Sequence, residues 1–242
     1  MKIENKIIDF IISNRVSTTE VSDALGKAGV IERLLPINTL SNFHKVGKVK
    51  CIFASYESNY LVHEQIESLE ENVIPLIFTY KCNNKAIIGD LIAKYILLYK
   101  SSPALLVRGK VRDAAKLIKE NYPIWSEGFN PLGCYNYYIK PYPLKKLQKE
   151  KKLFDNAIAV CDTGGVVVIN KKFLNEKFFH KLQLIETQED LWYFCLDTLK
   201  WSTKKIVCDK KYLQETDKLS STHLDKISLL SESLDKIYNK FA

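Results

Sequence analysis

Several familiar signatures are missing from this sequence of 242 residues. Its six cysteines show no CxxC or CxxH spacing, which argues against a zinc ribbon and against a disulfide framework. There is no Walker loop, no GxSxG elbow and no HExxH motif. No apolar run approaches the roughly 20 residues that a membrane span needs. The N-terminal stretch is interrupted by Glu4, Asn5 and Asp9, so it does not resemble a signal peptide. We therefore expect a soluble cytoplasmic protein with reduced thiols and no membrane partner.

What the chain does contain is the composition of an ordinary globular protein. It is 46% hydrophobic and 26% charged, and it is long enough to bury a substantial core. The net charge is +8, but the lysines form no dense run. In the most basic stretch, "LKKLQKEKK" (144–152), they alternate with other residues, as on a solvated surface. We therefore do not predict a nucleic-acid partner.

The hydrophobic pattern alternates between strand and helix periods along the first two thirds of the chain. Strands are predicted over 46–55, 73–80, 104–107 and 123–125, and helices over 3–13, 17–29 (capped by Thr18 or Thr19), 59–69, 90–100 and 113–121. This order predicts an α/β sandwich with parallel pairing through the middle of the sheet. Residues 131–143 are predicted to be a long loop and 156–169 a hairpin. After Phe173 the pattern is helical, ending in an amphipathic helix with apolar positions from Ile227 to Phe241.

Charged residues follow the predicted strands at two points. Asp90 opens a helix directly after Gly89, and Arg112 and Asp113 stand together at the start of the next helix. The carboxyl ends of neighbouring strands in an α/β sheet face one crevice, so both acids can converge there. Two carboxylates suit a hard divalent cation, and the arginine suits a carboxylate ligand. The alternative is structural, because an aspartate at a helix start is often only an N-cap that contributes ~1 kcal/mol.

A series of motifs resembles one known family. They are "STTEVSDALG" (17–26), "SNYLVHEQI" (58–66), "GDL" (89–91), "RGKVRD" (108–113), "PIWSEGFNP" (123–131) and "AIAVCDTGGVVVI" (157–169). In this order they resemble the regulator-of-ribonuclease-activity-like (RraA-like) family, whose enzymatic members are the hydroxymethyl-oxoglutarate and carboxy-hydroxy-oxoadipate aldolases. The resemblance covers about residues 16–195. It implies a compact α/β/α (swivelling β/β/α-like) sandwich, with a family domain over 1–204 and a helical C-terminal extension over 205–242.

The resemblance also implies a function. The chain is expected to be a metal-dependent aldolase or decarboxylase that acts on an α-keto acid through a pyruvate-like enolate, using Mg²⁺ or Mn²⁺. Asp113 matches the metal ligand, Arg112 the arginine that contacts the oxo-acid, and Asp90 the aspartate that positions a water for proton transfer. The backbone of Gly89, Leu91 and Ile92 matches the turn that receives the substrate carboxylate. The family forms trimers, so a homotrimer or higher oligomer is expected, with Glu189 or Glu186 of a neighbouring subunit reaching the site.

The sequence departs from the family pattern at two places, and other functions stay open. The segment between Asp90 and Arg112 is one residue longer than usual, and "YKCNNK" (80–85) replaces a glycine-containing turn, so Lys81, Asn83, Asn84 or Lys85 are possible substrate contacts. His63 is either a pocket residue or a core histidine, and Lys110 is a conceivable Schiff-base nucleophile. The rival functions are a non-catalytic regulator that binds a ribonuclease, and a biosynthetic enzyme that uses the same enolate chemistry on a sugar or surface-metabolite fragment.

Overall fold

The computed structural model describes residues 2–228 as a mixed α/β fold. The strands are β1 (Leu35–Pro36), β2 (Lys45–Ser55), β3 (Ile74–Tyr80), β4 (Ala86–Ile88), β5 (Leu105–Val107), β6 (Lys110–Val111), β7 (Ile124–Ser126), β8 (Ile158–Asp162) and β9 (Gly165–Ile169). The α-helices are α1 (Ile3–Ser13), α2 (Thr18–Ala24), α3 (Tyr60–Glu67), α4 (Asp90–Lys94), α5 (Ala114–Lys119), α6 (Leu144–Phe154) and α7 (Glu176–Asp197). The predicted amphipathic helix from Ile227 to Phe241 lies outside the described residues beyond Ser228.

Seven strands form the main sheet, in the order β1-β7-β5-β3-β2-β8-β9. Its four central strands, β7, β5, β3 and β2, are parallel, while β1 and the β8–β9 hairpin are antiparallel to their neighbours. The predicted parallel centre and the predicted hairpin, which turns at Asp162–Gly165, are therefore confirmed. No helix among residues 2–228 is long and apolar enough to cross a membrane.

Both faces of the sheet are covered, which explains why β2 is apolar at successive positions. Cys51 and Phe53 belong to an apolar cluster with α6 residues packed against it, whereas Ile52 and Ala54 belong to a second cluster. The second cluster joins the sheet to Val62 and Ile66 of α3, Ile92 of α4 and Leu117 of α5. The predicted α/β/α sandwich is confirmed.

Two helices differ in detail from the prediction. The cap of α2 is Ser17 instead of Thr18 or Thr19, and α2 ends at Ala24. Ser17 and Glu20 form a capping box, in which each side chain accepts a hydrogen bond from the other residue's backbone N–H. Thr18 is unavailable because its hydroxyl donates to Asp162 Oδ1 at 2.7 Å. The predicted helix 90–100 is α4 followed by a π-helical turn, Tyr95–Tyr99.

The described residues divide into two compact units, with the boundary between Glu176 and Lys177. The first contains the sheet. In the second, Leu191 and Cys195 of α7 pack with Trp201, Ile206 and Tyr212. The packing boundary therefore falls before the predicted division after residue 204. That division concerned the extent of the family domain, and it stays a prediction.

Candidate functional site

A second, two-stranded sheet brings the two charged motifs together. Strands β4 and β6 are parallel, with Ala86 paired to Lys110 and Ile88 to Val111. Gly89 follows β4 directly and Arg112 follows β6 directly, and Arg112 N donates to Ile88 O at 2.9 Å. The two motifs thus lie side by side at the carboxyl ends of adjacent parallel strands, as the sequence predicted. Neither strand was predicted, because two or three residues are too few to show a period.

Two glycines enclose the Arg112–Asp113 pair. A Cβ atom on Gly89 would lie 2.1 Å from Asp113 Oδ2 and 3.1 Å from Arg112 Nε. A Cβ atom on Gly133 would lie 2.7 Å from Arg112 Nη1. Any larger residue at position 89 would therefore collide with the carboxylate, which explains why a glycine precedes Asp90. The sequence analysis did not identify Gly133, because its close contact with Arg112 depends on how the 131–143 segment folds.

The carboxylate of Asp113 does not cap its own helix. Asp113 precedes α5 with left-handed backbone angles (φ 60°, ψ 37°) and makes no side-chain hydrogen bond to the first turn of α5. Its Oδ2 instead accepts the backbone N–H of Asp90 at 3.0 Å and lies 3.7 Å from Arg112 Nε. A left-handed conformation is uncommon for a residue with a side chain, although aspartate tolerates it better than most. The backbone thus turns this carboxylate toward the crevice.

Asp90 is held by a lysine that the sequence analysis missed. Lys116 of α5, three residues after Asp113, forms an ion pair through Nζ with Asp90 Oδ2. The hydrogen bond from Lys116 is the main cause that lowers the pKa of Asp90, and the same bond raises the pKa of Lys116. Asp90 is therefore a carboxylate at neutral pH. The helical spacing of Asp113 and Lys116 is the one sequence signal that places both on the same side of α5.

Asp90, Arg112 and Asp113 line a pocket of about 110 Å³. It is smaller than pockets for drug-sized ligands and suits a small metabolite. All the residues predicted for the main site are in its wall: Gly89, Asp90, Leu91, Ile92, Arg112 and Asp113. The wall also contains His63 and Asn59 of the α3 start, and Gly133 and Cys134 of the long loop. His63 is half-buried there, so it is a pocket residue as well as a packed one.

Asn59 contributes a buried oxygen with no protein partner. The residue is only 8% exposed, and its Nδ2 donates to Ile87 O at 3.1 Å. Its Oδ1 receives no hydrogen bond from the part of the chain that the structure describes. A buried acceptor without a partner costs free energy, so it is usually matched by a ligand or water. The motif "SNYLVHEQI" contains this residue, but nothing in the sequence distinguished it from a helix cap.

The donor atoms of the pocket are the kind that magnesium or manganese prefers. No group of three His, Cys, Asp or Glu residues that could hold a metal exists within residues 2–228, so a closed zinc-type site is not built there. Magnesium keeps several waters and needs only one or two carboxylates. Asp113 and Asn59 line the same pocket and both carry side-chain oxygens, which fits a water-rich, oxygen-ligated cation.

Lys110 and the 81–85 turn lie apart from this pocket. Lys110 donates to Glu127 O, and the side chains of 81–85 are next to it in a separate recess. Asn83 and Asn84 have left-handed φ angles, so asparagines take the place of glycines in this turn. Glu186 and Glu189 lie on α7 in the second unit, half-buried. Their predicted role in a neighbouring subunit stays a prediction.

Comparisons with known proteins agree with this architecture. The sequence profile of the family described as RraA-like, Aldolase/RraA, matches residues 18–168. An uncharacterized protein from Pseudomonas syringae pv. tomato superimposes with a TM-score of 0.63 at 18% identity, over 85% of this chain and 98% of its own. Streptomyces coelicolor RraAS2, an unusual member of the RNase ES inhibitor RraA protein family, superimposes with a TM-score of 0.59 at 16% identity, over 76% of this chain and 94% of its own. No curated protein matches the sequence.

Proposed function

This chain belongs to the RraA-like family, and from the pocket we propose that it is a divalent-metal-dependent carbon–carbon lyase that acts on a small α-keto acid. One observation carries the proposal: Asp90, Arg112 and Asp113 converge on one small pocket at the ends of β4 and β6. Cleavage next to an α-keto acid leaves an enolate beside a carboxylate, so negative charge accumulates at one place. A site for that reaction needs positive charge already in position.

Arg112 binds the substrate carboxylate in this proposal. Its guanidinium is a planar fork that can donate two parallel hydrogen bonds to a carboxylate. Gly89 and Gly133 leave no side chains beside it, so the substrate can approach closely. The backbone N–H groups of Leu91 and Ile92 belong to the first turn of α4, where helix N–H groups have no partner within the helix. They supply further donors for the same carboxylate.

Asp90 positions the water that donates a proton to the enolate in this proposal. The ion pair with Lys116 favours the ionised form of Asp90. The Asp90 carboxylate can then accept a hydrogen bond from a water and orient that water toward the enolate carbon that cleavage leaves. Lys116 also adds positive charge beside Asp90.

Asp113 would hold the cation, and Asn59, which lines the same pocket, would supply an acceptor for its waters. A bound Mg²⁺ or Mn²⁺ would supply the charge that stabilises the enolate oxygen. The left-handed backbone of Asp113 costs of order 1 kcal/mol, and such strain is typical of functional positions.

The test is an assay of pyruvate release from oxaloacetate and from 4-hydroxy-2-oxo acids, with magnesium, with manganese and after chelation. We expect activity that requires the metal. Arg112→Lys, which keeps the charge and loses the fork, should lower kcat/KM by about a hundredfold. Asp113→Asn is the sharper metal variant, because asparagine tolerates the left-handed backbone.

A matched control comes from the same stretch. Arg108 is four residues earlier, and its guanidinium lies over the Phe78 ring outside the pocket, so Arg108→Lys should keep full activity. Wild-type turnover by Arg112→Lys, or equal metal affinity in Asp113→Asn and wild type, contradicts the proposal.

Protein-binding regulation is the second candidate function. Two structurally similar proteins are described as members of an RNase inhibitor family or as an RNA-processing inhibitor, the latter from Thermus. A folded protein that is inactive on every oxo-acid with both metals, yet binds a ribonuclease, would favour it. A biosynthetic enzyme would instead consume pyruvate with an aldehyde acceptor, which the assay detects when it is run in reverse.

A further inference from the structure

Two cysteines that are distant in the sequence lie on neighbouring segments beside the pocket. Cys82 lies in the turn after β3, and Cys134 lies in the long loop after Gly133. The two segments run side by side, because Ala86 N donates to Leu132 O at 2.8 Å and Cys134 N donates to Ala86 O at 3.0 Å. Cys82 is part of the apolar cluster beneath the pocket, and Cys134 packs against that cluster.

The pair differs from the other cysteines in its surroundings. Cys51, Cys161 and Cys195 are buried, and Cys208 is exposed in the second unit. Burial raises the pKa of the Cys51, Cys161 and Cys195 thiols, which makes them poor nucleophiles at neutral pH. Cys134 is half-buried and lines the Arg112 pocket. Cys82 is buried in its turn but lines the separate recess beside residues 81–85, so a small molecule approaches the pair from either cavity.

The two thiols also share a hydrogen bond. It lowers the pKa of Cys82 to about 7, against the opposing effect of burial, and it raises the pKa of Cys134. At neutral pH Cys82 thus exists in part as a thiolate, and Cys134 is a thiol beside it. This is the arrangement of an attacking and a resolving cysteine.

We propose that Cys82 and Cys134 are a redox-modification site, which hydrogen peroxide oxidises to a disulfide beside the Arg112 pocket. The Cys82 thiolate attacks the peroxide, the O–O bond breaks, and the departing hydroxide takes up a proton to leave as water. Cys82 is then a sulfenic acid. The sulfur of Cys134 attacks it, the S–O bond breaks, and a second water leaves as the S–S bond forms. Two electrons pass from the two sulfurs to the peroxide.

The disulfide would act on the pocket through Gly133. This residue precedes Cys134 and contacts Arg112, since a Cβ atom there would lie 2.7 Å from Arg112 Nη1. Closing the bond moves the 132–134 segment toward the 81–85 turn and thereby changes the space beside the guanidinium. The modification itself does not depend on the proposed lyase activity.

The experiment follows oxidation of each cysteine in the full chain. Reduced protein is treated with one equivalent of hydrogen peroxide, quenched over time by alkylation, and mapped by non-reducing peptide mass spectrometry. We expect a Cys82–Cys134 crosslink that forms at least about tenfold faster than any modification of Cys208, although Cys208 is the exposed thiol. Pair oxidation no faster than oxidation of Cys208 overturns the proposal.

Two variants identify the roles of the sulfurs. Cys134→Ser should trap a sulfenic acid on Cys82 that a cyclic 1,3-dione labels, and Cys208→Ser should leave the crosslink unchanged. Absence of labelling on Cys82 in folded Cys134→Ser overturns the assignment of Cys82 as the attacking sulfur. If that variant does not fold, the time course of the wild-type protein decides the proposal alone.

Discussion

A Cβ atom on Gly89 would lie 2.1 Å from Oδ2 of Asp113, so the carboxylate occupies the space in which any other residue at position 89 would place its side chain. The same oxygen accepts the N–H of Asp90. The Gly89–Asp90 and Arg112–Asp113 motifs are therefore in direct contact. A larger residue at position 89 would displace the Asp113 carboxylate.

Gly89→Ala should abolish oxo-acid turnover, because the methyl group forces Asp113 and Arg112 out of position. Gly133→Ala is the graded comparison, since its methyl group meets only the end of a flexible guanidinium. We expect a small loss of kcat/KM for Gly133→Ala, and for Gly89→Ala a destabilisation of about 1–3 kcal/mol together with loss of activity. Steady-state kinetics and denaturant unfolding measure both. Equal effects of the two substitutions would contradict this account of the site.

The sequence contained enough to locate the centre of this site but not its surroundings. Gly89–Asp90 and Arg112–Asp113 were recognisable because each pair is contiguous and opens a predicted helix, although the short strands β4 and β6 before them were not predicted. Asn59 and Gly133 line the pocket from two separate segments, and Lys116 contacts Asp90 from a third. Their contribution depends on tertiary distances that no local pattern contains. The cap of α2 was misjudged for the same reason: Thr18 bonds to Asp162, 144 residues away, which leaves Ser17 as the cap.

Lys116→Met should raise the pKa of Asp90 toward its ordinary value, since the Lys116 hydrogen bond is the main cause that lowers it. A lowered carboxyl pKa stabilises the folded state above the unfolded pKa of about 3.9, and this stabilisation is lost as the pH falls through the folded value. The variant should therefore lose stability relative to wild type at pH 7 and match it at low pH.

Carboxyl chemical shifts followed by NMR give the pKa of Asp90 directly, and urea unfolding at several pH values gives the stability. Lys119→Met is the matched control, because Lys119 is exposed on the same helix and has no contact with Asp90 among the described residues. The account fails if Lys119→Met moves the pKa of Asp90 as much as Lys116→Met does.

Asn59→Leu should separate stability from function. The substitution removes an oxygen that has no partner among residues 2–228, but it also removes the donor to Ile87 O. These effects oppose each other, each at about 1–3 kcal/mol, so the net change in the free energy of unfolding should be small. Substrate and metal affinity should nevertheless fall clearly. Thermal unfolding with calorimetric titration of manganese checks both, and unchanged manganese affinity would exclude Asn59 from the proposed cation site.

The helix that begins at Asp90 exposes a row of large apolar side chains, which bears on the expected homotrimer. Leu91, Leu98 and Tyr99 are exposed on α4 and the π-helical turn, and Leu91 also lines the Arg112 pocket. A neighbouring subunit that covers this row would therefore lie beside the site.

We expect wild-type protein to have the mass of a trimer or higher oligomer in light scattering. Leu98→Glu should lower that mass and the oxo-acid activity together while preserving the circular dichroism spectrum, because a buried charge at an interface is costly. Leu40→Glu is the control: Leu40 is 96% exposed in a loop outside this row, so its substitution should change neither mass nor activity. A fully active monomer would contradict the oligomer, whereas an unchanged mass for Leu98→Glu would place the subunit contact on another surface.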